Sequence, residues 1–169
     1  MKWLTWDVLT NAVYLLVAIL VAHSDGPTGY VFIATMAFLT VGSAGYHAGL
    51  PKWNHLDVMG TYVVGLYLWL VVIHLASGWW VSLVSAAGLA VGGAYLLRMK
   101  QLDVRMEVKV GALFGVLYAT AFMFYGAEWE TLIISVSFMV AGLLVRGGNH
   151  ALWHVLSAIG LGLLWSGVS

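Results

Sequence analysis

His150 and His154 stand four residues apart in the string His150-Ala151-Leu152-Trp153-His154, with Ser157 three residues further on. On a helix, positions i and i+4 share a face with Cβ atoms roughly 5–6 Å apart, a separation that lets both imidazoles reach one metal ion. A second polar stripe, Thr40, Ser43 and His47, repeats at i, i+3 and i+7. A third opens with His55 and Asp57 and continues to Thr61. If the stripes meet, His47, His150 and His154 form a three-imidazole site whose fourth position stays open, the arrangement of catalytic rather than structural zinc. A metal held in that way lowers the pKa of its water to about 7 and supplies hydroxide at neutral pH.

Each group also has a plainer reading. A lone pair of histidines at i and i+4 can be an interfacial or hydrogen-bonded pair. Asp57 can be the N3 acid of a capping-box-like helix start behind an Asn54 cap. Ser43 can bond back to a carbonyl of its own helix, as serine commonly does in apolar helices. His55 reads as interfacial, and His23 and His74 belong to the opposite side and stay outside the site. Asp7 and Asn11 share a face of the first apolar segment and read as packing polarity. The tyrosines and tryptophans read mostly as belt and core.

The elements that must position these groups follow from composition. Of 169 residues, 62% are hydrophobic and 8% charged. A soluble domain carries about 25% charged residues, so this composition indicates a membrane protein. Cysteine is absent, which removes disulfides, thiolate metal sites and cysteine nucleophiles. Net charge is zero, with no basic excess for nucleic acid. A spanning helix needs roughly 20 mainly apolar residues. The chain divides into seven such stretches: Trp6 to Ala22, Tyr30 to Leu50, His55 to Ala76, Trp79 to Leu97, Glu107 to Tyr125, Trp129 to Val145 and Asn149 to Val168. Glycine, proline and charged residues punctuate them, and the short connections force neighbours to run antiparallel. The expected fold is an all-α membrane protein, a seven-transmembrane helix bundle in a single domain spanning residues 1–169.

Charge sets the orientation. Lys2, Lys52, Arg98, Lys100, Arg105, Lys109 and Arg146 fall on the N-terminal side, while Asp25, Glu128 and Glu130 fall on the other. The positive-inside rule puts the N-terminus in the cytoplasm and the C-terminus outside, in a multi-pass protein of the cell (inner) membrane. The interfacial tryptophans agree, with Trp3, Trp6 and Trp53 inside and Trp79, Trp80, Trp129 and Trp165 outside. The start, Met1-Lys2, reads as part of a retained first helix, because Asp7 and Asn11 interrupt the apolar run and no cleavage site precedes Ser24. Gly88/Gly92 and Gly111/Gly115 have small-x-x-x-small spacing and are expected to pack within the bundle. His47 closes its helix, and Asp57, His150 and His154 open theirs, so antiparallel neighbours put all four in one cytoplasmic layer.

Ser43-x-x-x-His47 late in the second span, Asp57 early in the third and His150-x-x-x-His154 at the head of the seventh resemble the signature of the CREST superfamily. This group includes alkaline ceramidases, progestin and adiponectin receptors, haemolysin-III-like proteins and lipid-remodelling hydrolases of GPI anchors. The string from His150 to His154 is most similar to the ceramidase branch, whereas the inward N-terminus is closer to the adiponectin-receptor branch. Of the acidic calcium-binding N-terminal segment of the ceramidases, only Asp7 has a counterpart here. The resemblance implies a zinc ion (Zn2+) on His47, His150 and His154. It also implies that Asp57 and Ser43 are the catalytic partners of the activated water, Asp57 as general base and then acid, and Ser43 as a donor to the oxyanion. The implied substrate is a lipid amide or ester drawn from the bilayer.

The leading expectation is therefore a membrane-embedded, zinc-dependent, ceramidase-like hydrolase, a lipid amidase or esterase. The alternative is a lipid-binding receptor or regulatory membrane protein with a structural zinc. A transporter or proton channel fits less well, because the fourth to sixth spans carry no ionisable residue at the midplane. No retinal is expected, since the seventh span has no lysine for a Schiff base, and no haem is expected either. Catalysis on a lipid further calls for an apolar-walled opening that ends at the histidines.

Overall fold

The computed structural model describes residues 5–99, 106–125 and 129–167. Among them there is no strand, and helices account for nearly the whole chain. They are α1 (Trp6–Leu9), α2 (Ala12–Ala22), α3 (Gly26–His47), a 3-10 turn (Pro51–Trp53), α4 (Asn54–Ser77), α5 (Trp79–Arg98), α6 (Met106–Tyr125), α7 (Trp129–Val145) and α8 (His150–Ser166). Three of them, α3, α4 and α5, are long and apolar enough to cross a membrane, and the other apolar helical stretches are shorter. Lys2, Trp3, Lys100, Arg105 and Glu128 of the charge and tryptophan patterns lie outside the described residues, as does Val168 at the end of the last expected span.

Side-chain contacts fix the directions. Gly42 lies against Leu56 and Asp57, and Gly60 against Leu39, so α3 and α4 run antiparallel. Tyr14 meets Ser157, while Gly162 packs on Val17, so α2 and α8 run parallel. Tyr62 and Trp69 of α4 meet Phe114 and Tyr118 of α6, again in parallel. The helices close a ring in the order α2, α3, α4, α6, α7, α8, with α6 against α7 as its loosest seam and α5 outside, resting on α4. At the end remote from the N-terminus, Trp165 stacks on Phe32 and Tyr67 and donates from Nε1 to Asp25 Oδ2 at 2.7 Å.

Several boundaries differ from the sequence expectation, each for a local reason. The first span is broken between α1 and α2. Asn11 Nδ2 donates to the Asp7 carbonyl at 2.6 Å and Thr10 Oγ1 to that of Trp6 at 2.7 Å, and the Asn11, Val13 and Tyr14 amides reach back three residues rather than four. Such a 3-10 step kinks a helix where side chains compete for its carbonyls. Helix α3 starts four residues before Tyr30 because Pro27 suits a first helical turn, whose N–H groups have no intrahelical acceptor. Asn54 is not an N-cap: the 3-10 turn feeds helical dihedrals directly into α4, Trp53 is the capping position, and Asn54 is already helical. Asp57 therefore does not complete a capping box.

The glycine expectation is corrected as well. Gly88, Gly111 and Gly115 face open space, and only Gly92 of the two pairs meets a neighbour, the Tyr62 hydroxyl. The close contacts come from other glycines, among them Gly42, where a Cβ would lie 2.6 Å from the Leu56 carbonyl oxygen. This lets the backbones of α3 and α4 touch just where Ser43 and Asp57 branch off.

Candidate metal centre

Two helices bring the three histidines together at one end of the bundle. His47 is the last residue of α3, while His150 and His154 stack on the first two turns of α8. Helix α8 starts where it does because Asn149 caps it, its Oδ1 accepting from the Leu152 amide at 3.0 Å. That cap sets the rotation at which both imidazoles face α3.

The ligand atoms of the three rings all lie within 4.8 Å of one another. Nε2 of His47 and Nε2 of His150 are 3.0 Å apart, close to the edge of about 3.3 Å expected for two nitrogens on a tetrahedral ion with bonds of about 2.0–2.1 Å. Ring centroids are 4.5, 5.2 and 4.7 Å apart for the pairs 47/150, 47/154 and 150/154, at interplanar angles of 59, 75 and 88°. The rings are tilted rather than stacked, with a nitrogen of each within reach of the other two.

His154 supplies the test of fit. Its ring is buried, 1% exposed, and its Nε2 has no hydrogen-bond partner. Its Nδ1 lies 3.3 Å from the Tyr14 hydroxyl, which lies 3.0 Å from Ser157 Oγ, and Ser157 in turn donates to the Trp153 carbonyl. With Ser157 donating to the carbonyl, Tyr14 is placed to donate to Ser157 and to accept from His154 Nδ1–H, the tautomer in which the ring offers Nε2 to a metal. In that tautomer Nε2 is a lone pair, buried and without a hydrogen-bond partner. A buried acceptor without a donor is costly by about 1–3 kcal/mol, and a cation supplies what is missing. The donor set, three neutral imidazoles with one oriented through its second nitrogen, fits a divalent metal ion.

Ser43 and Asp57 are also buried, at 2% and 3% exposure. Ser43 stands one turn before His47 on α3, and Asp57 lies in the first turn of α4 at the level of Gly42. The remaining members of the two stripes serve their own helices: Thr40 donates to the Met36 carbonyl and Thr61 to that of Asp57. His55 is half-buried, its Nε2 2.8 Å from the Met99 carbonyl, and it ties the start of α4 to the end of α5. His23 and His74 are exposed at the far end.

Sequence reasoning missed Tyr14, taken for core, and undervalued Asn11, which is fully buried. The signal was present: Asp7, Asn11 and Tyr14 recur at i, i+4 and i+7 and so share one face of the first helical segment. A cavity of about 530 Å³ opens against His150, lined by Trp6, Asp7, Arg146, Asn149 and the backbone of Gly147 and Gly148. Its lining is mixed, the Trp6 indole standing beside charged side chains and backbone. Compared with protein-family models, with curated proteins and with solved structures, the chain matches none.

Proposed function

We propose that this protein is a membrane-embedded, zinc-dependent hydrolase of lipid amide or ester bonds, similar to the CREST superfamily. The observation that carries this reading is the convergence of His47, His150 and His154, with Nε2 of His154 bare and buried. Among the described residues three donors gather there, whereas a structural zinc takes four protein ligands; three leave a position for a reactant. When bound, zinc acts as a Lewis acid toward a carbonyl and lowers the pKa of water to about 7.

The residues of the chain do the rest. Asp57 offers a carboxylate shielded from bulk solvent that takes a proton from the attacking water and returns it to the departing amine or alkoxide. Ser43 donates its hydroxyl proton in a hydrogen bond to the carbonyl oxygen as negative charge grows there. Tyr14, through Nδ1 of His154, holds that ring in the tautomer that ligates. The touching backbones at Gly42 and Leu56 keep Ser43 and Asp57 in register.

The helices alternate in direction along the chain, which supports seven crossings. The excess of Lys and Arg at the end that carries the histidines supports a cytoplasmic N-terminus and an outer C-terminus in the cell membrane. The scissile carbonyl then lies near the headgroups of the inner leaflet. The test is metal analysis of the purified protein together with lipid mass spectrometry after incubation with N-acyl and O-acyl lipids. One zinc per chain and release of fatty acid are expected. Asp57→Asn should retain the metal and lose hydrolysis. Wild-type protein without bound metal, or full hydrolysis by Asp57→Asn, refutes the assignment.

A further inference from the structure

The cavity of about 530 Å³ beside His150 is bordered by two glycines that the backbone does not require. Gly147 and Gly148 lie in the turn from α7 to α8, and neither has a positive φ, so no left-handed conformation demands glycine there. Packing does not demand it either. No atom lies within 4 Å of where a Cβ of Gly147 would be, and Gly148 meets only the Val145 carbonyl oxygen, at 4.0 Å. Because both residues line the cavity, a side chain on either would enter it. The effect of the two glycines is to leave the space beside His150 open.

Deeper in, the centre is closed. His154, Ser43 and Asp57 are buried, and at the far end of the bundle the stack of Trp165 on Phe32 and Tyr67 fills the interior. His150, by contrast, is half-buried and lines the cavity, whose rim of Gly147, Gly148 and Asn149 is exposed. The walls carry opposite charges, Asp7 on α1 and Arg146 on the turn, so the lining is wettable and favours neither sign of charge. The volume holds a divalent ion with its shell of about six waters, at about 30 Å³ for each water.

We propose that this cavity is the aqueous port of the triad, the passage by which water and a divalent metal ion reach the histidines, and that Gly147 and Gly148 keep it open. The metal part rests on reading the triad as a metal centre. A port has a kinetic signature that a ligand lacks. Narrowing it raises the barrier to entry and to exit equally, so uptake and release slow by one factor and the dissociation constant, their ratio, is unchanged. A substitution that disturbs the ligands changes the dissociation constant instead.

The chain has no cysteine, so Gly147→Cys places a single thiol at the port of the full-length protein. In maltoside micelles, zinc release to pyridylazoresorcinol and zinc uptake by stripped protein are timed before and after modification by a cationic or an anionic methanethiosulfonate, and again after reduction. Either reagent should slow both rates about tenfold or more and leave the dissociation constant within about twofold, and reduction should restore both rates. Recovery of the same molecules separates a block from misfolding. Ser24→Cys, exposed at the far end, should change neither rate when modified. A second measurement needs no metal: the thiol of His150→Cys should react with both reagents, and adding Gly147→Leu should slow that reaction about tenfold or more.

Bound zinc whose uptake and release ignore modification of Gly147→Cys overturns the port and leaves the metal centre standing. A changed dissociation constant with unchanged uptake assigns the effect to the ligands and also overturns it, as does an unreactive thiol in His150→Cys or one that Gly147→Leu does not shield. Wild type that binds no zinc, together with a reactive thiol shielded by Gly147→Leu, refutes the metal centre and upholds the aqueous port.

Discussion

Tyr14→Phe removes one oxygen from the interior and leaves the ring that packs there. The lost hydroxyl bridges His154 Nδ1 at 3.3 Å and Ser157 Oγ at 3.0 Å. Ser157 keeps its bond to the Trp153 carbonyl, so its own loss is small. His154 is the residue affected, since its Nδ1–H then points at a phenyl edge inside a ring environment only 1% exposed. Leaving one buried polar group unsatisfied costs about 1–3 kcal/mol. In metal-free protein the imidazole can rotate or exchange its proton between nitrogens to recover part of that cost. With a metal on Nε2 it is pinned, so the penalty falls mainly on the bound state. At about 1.4 kcal/mol per tenfold, the metal dissociation constant should rise roughly 5- to 150-fold, which brackets the about 10- to 100-fold typical of partners behind a ligating histidine. Competition with a chromophoric zinc chelator measures it, and cobalt substitution reports whether the ligand field at the site changes. Ser157→Ala should weaken binding less, because Tyr14 still accepts from His154. Unchanged affinity in Tyr14→Phe, or a larger effect in Ser157→Ala, would refute the proton chain that leaves Nε2 bare.

Removing a ligand itself should be far more severe. His150→Ala and His47→Ala each break the 3.0 Å pair and should purify with less than one-tenth of the wild-type metal by elemental analysis; either variant with full metal content would mean that the triad is not the site. Gly42→Ala should destabilise by about 1–3 kcal/mol, since its methyl would lie 2.6 Å from the Leu56 carbonyl oxygen and must push α3 from α4. That separation moves Ser43 and Asp57 apart, and a displacement near 1 Å costs about 100-fold in rate, so activity should fall more steeply than thermal stability. Trp165→Phe, which loses the bond to Asp25 at the far end, should lower stability by about 1–3 kcal/mol and leave metal affinity within about twofold, read by thermal unfolding with and without zinc.

What the sequence made legible is whatever follows from helical periodicity and charge. Spacing alone was enough to expect His150 and His154 on one face and His47 at the same end, because antiparallel apolar helices with short connections bring the close of one to the start of the next. The all-helical fold was legible for the same reason, since 62% apolar residues in runs of about 20 leave few alternatives. Features decided by packing rather than by period were not legible. Asp57 reads as a capping acid in sequence because Asn54 precedes it by three, and only the 3-10 turn at Pro51–Trp53 removes that role. The glycine pairs on α5 and α6 have the spacing of a helix contact, yet Gly42 and Gly60, which have no such motif, make the close approach.

The histidine end itself shows why a pattern in one helix underdetermines a site. His154 is defined by three segments at once: α8 carries the ring, α2 supplies the tyrosine that fixes its tautomer, and α3 presents the imidazole opposite. No window of sequence contains that relation, since Tyr14 and His154 are 140 residues apart. What the first helical segment does contain is a polar face, Asp7, Asn11 and Tyr14, in an otherwise apolar stretch. Buried polarity in an apolar helix is expensive unless it is satisfied across the bundle, so such a face implies a partner on another helix before any coordinates are known. Tyr14 finds that partner at the end of α8 bearing the histidines, while Asn11 donates back to the Asp7 carbonyl and marks the kink at Thr10–Asn11 that sets Asp7 beside the cavity.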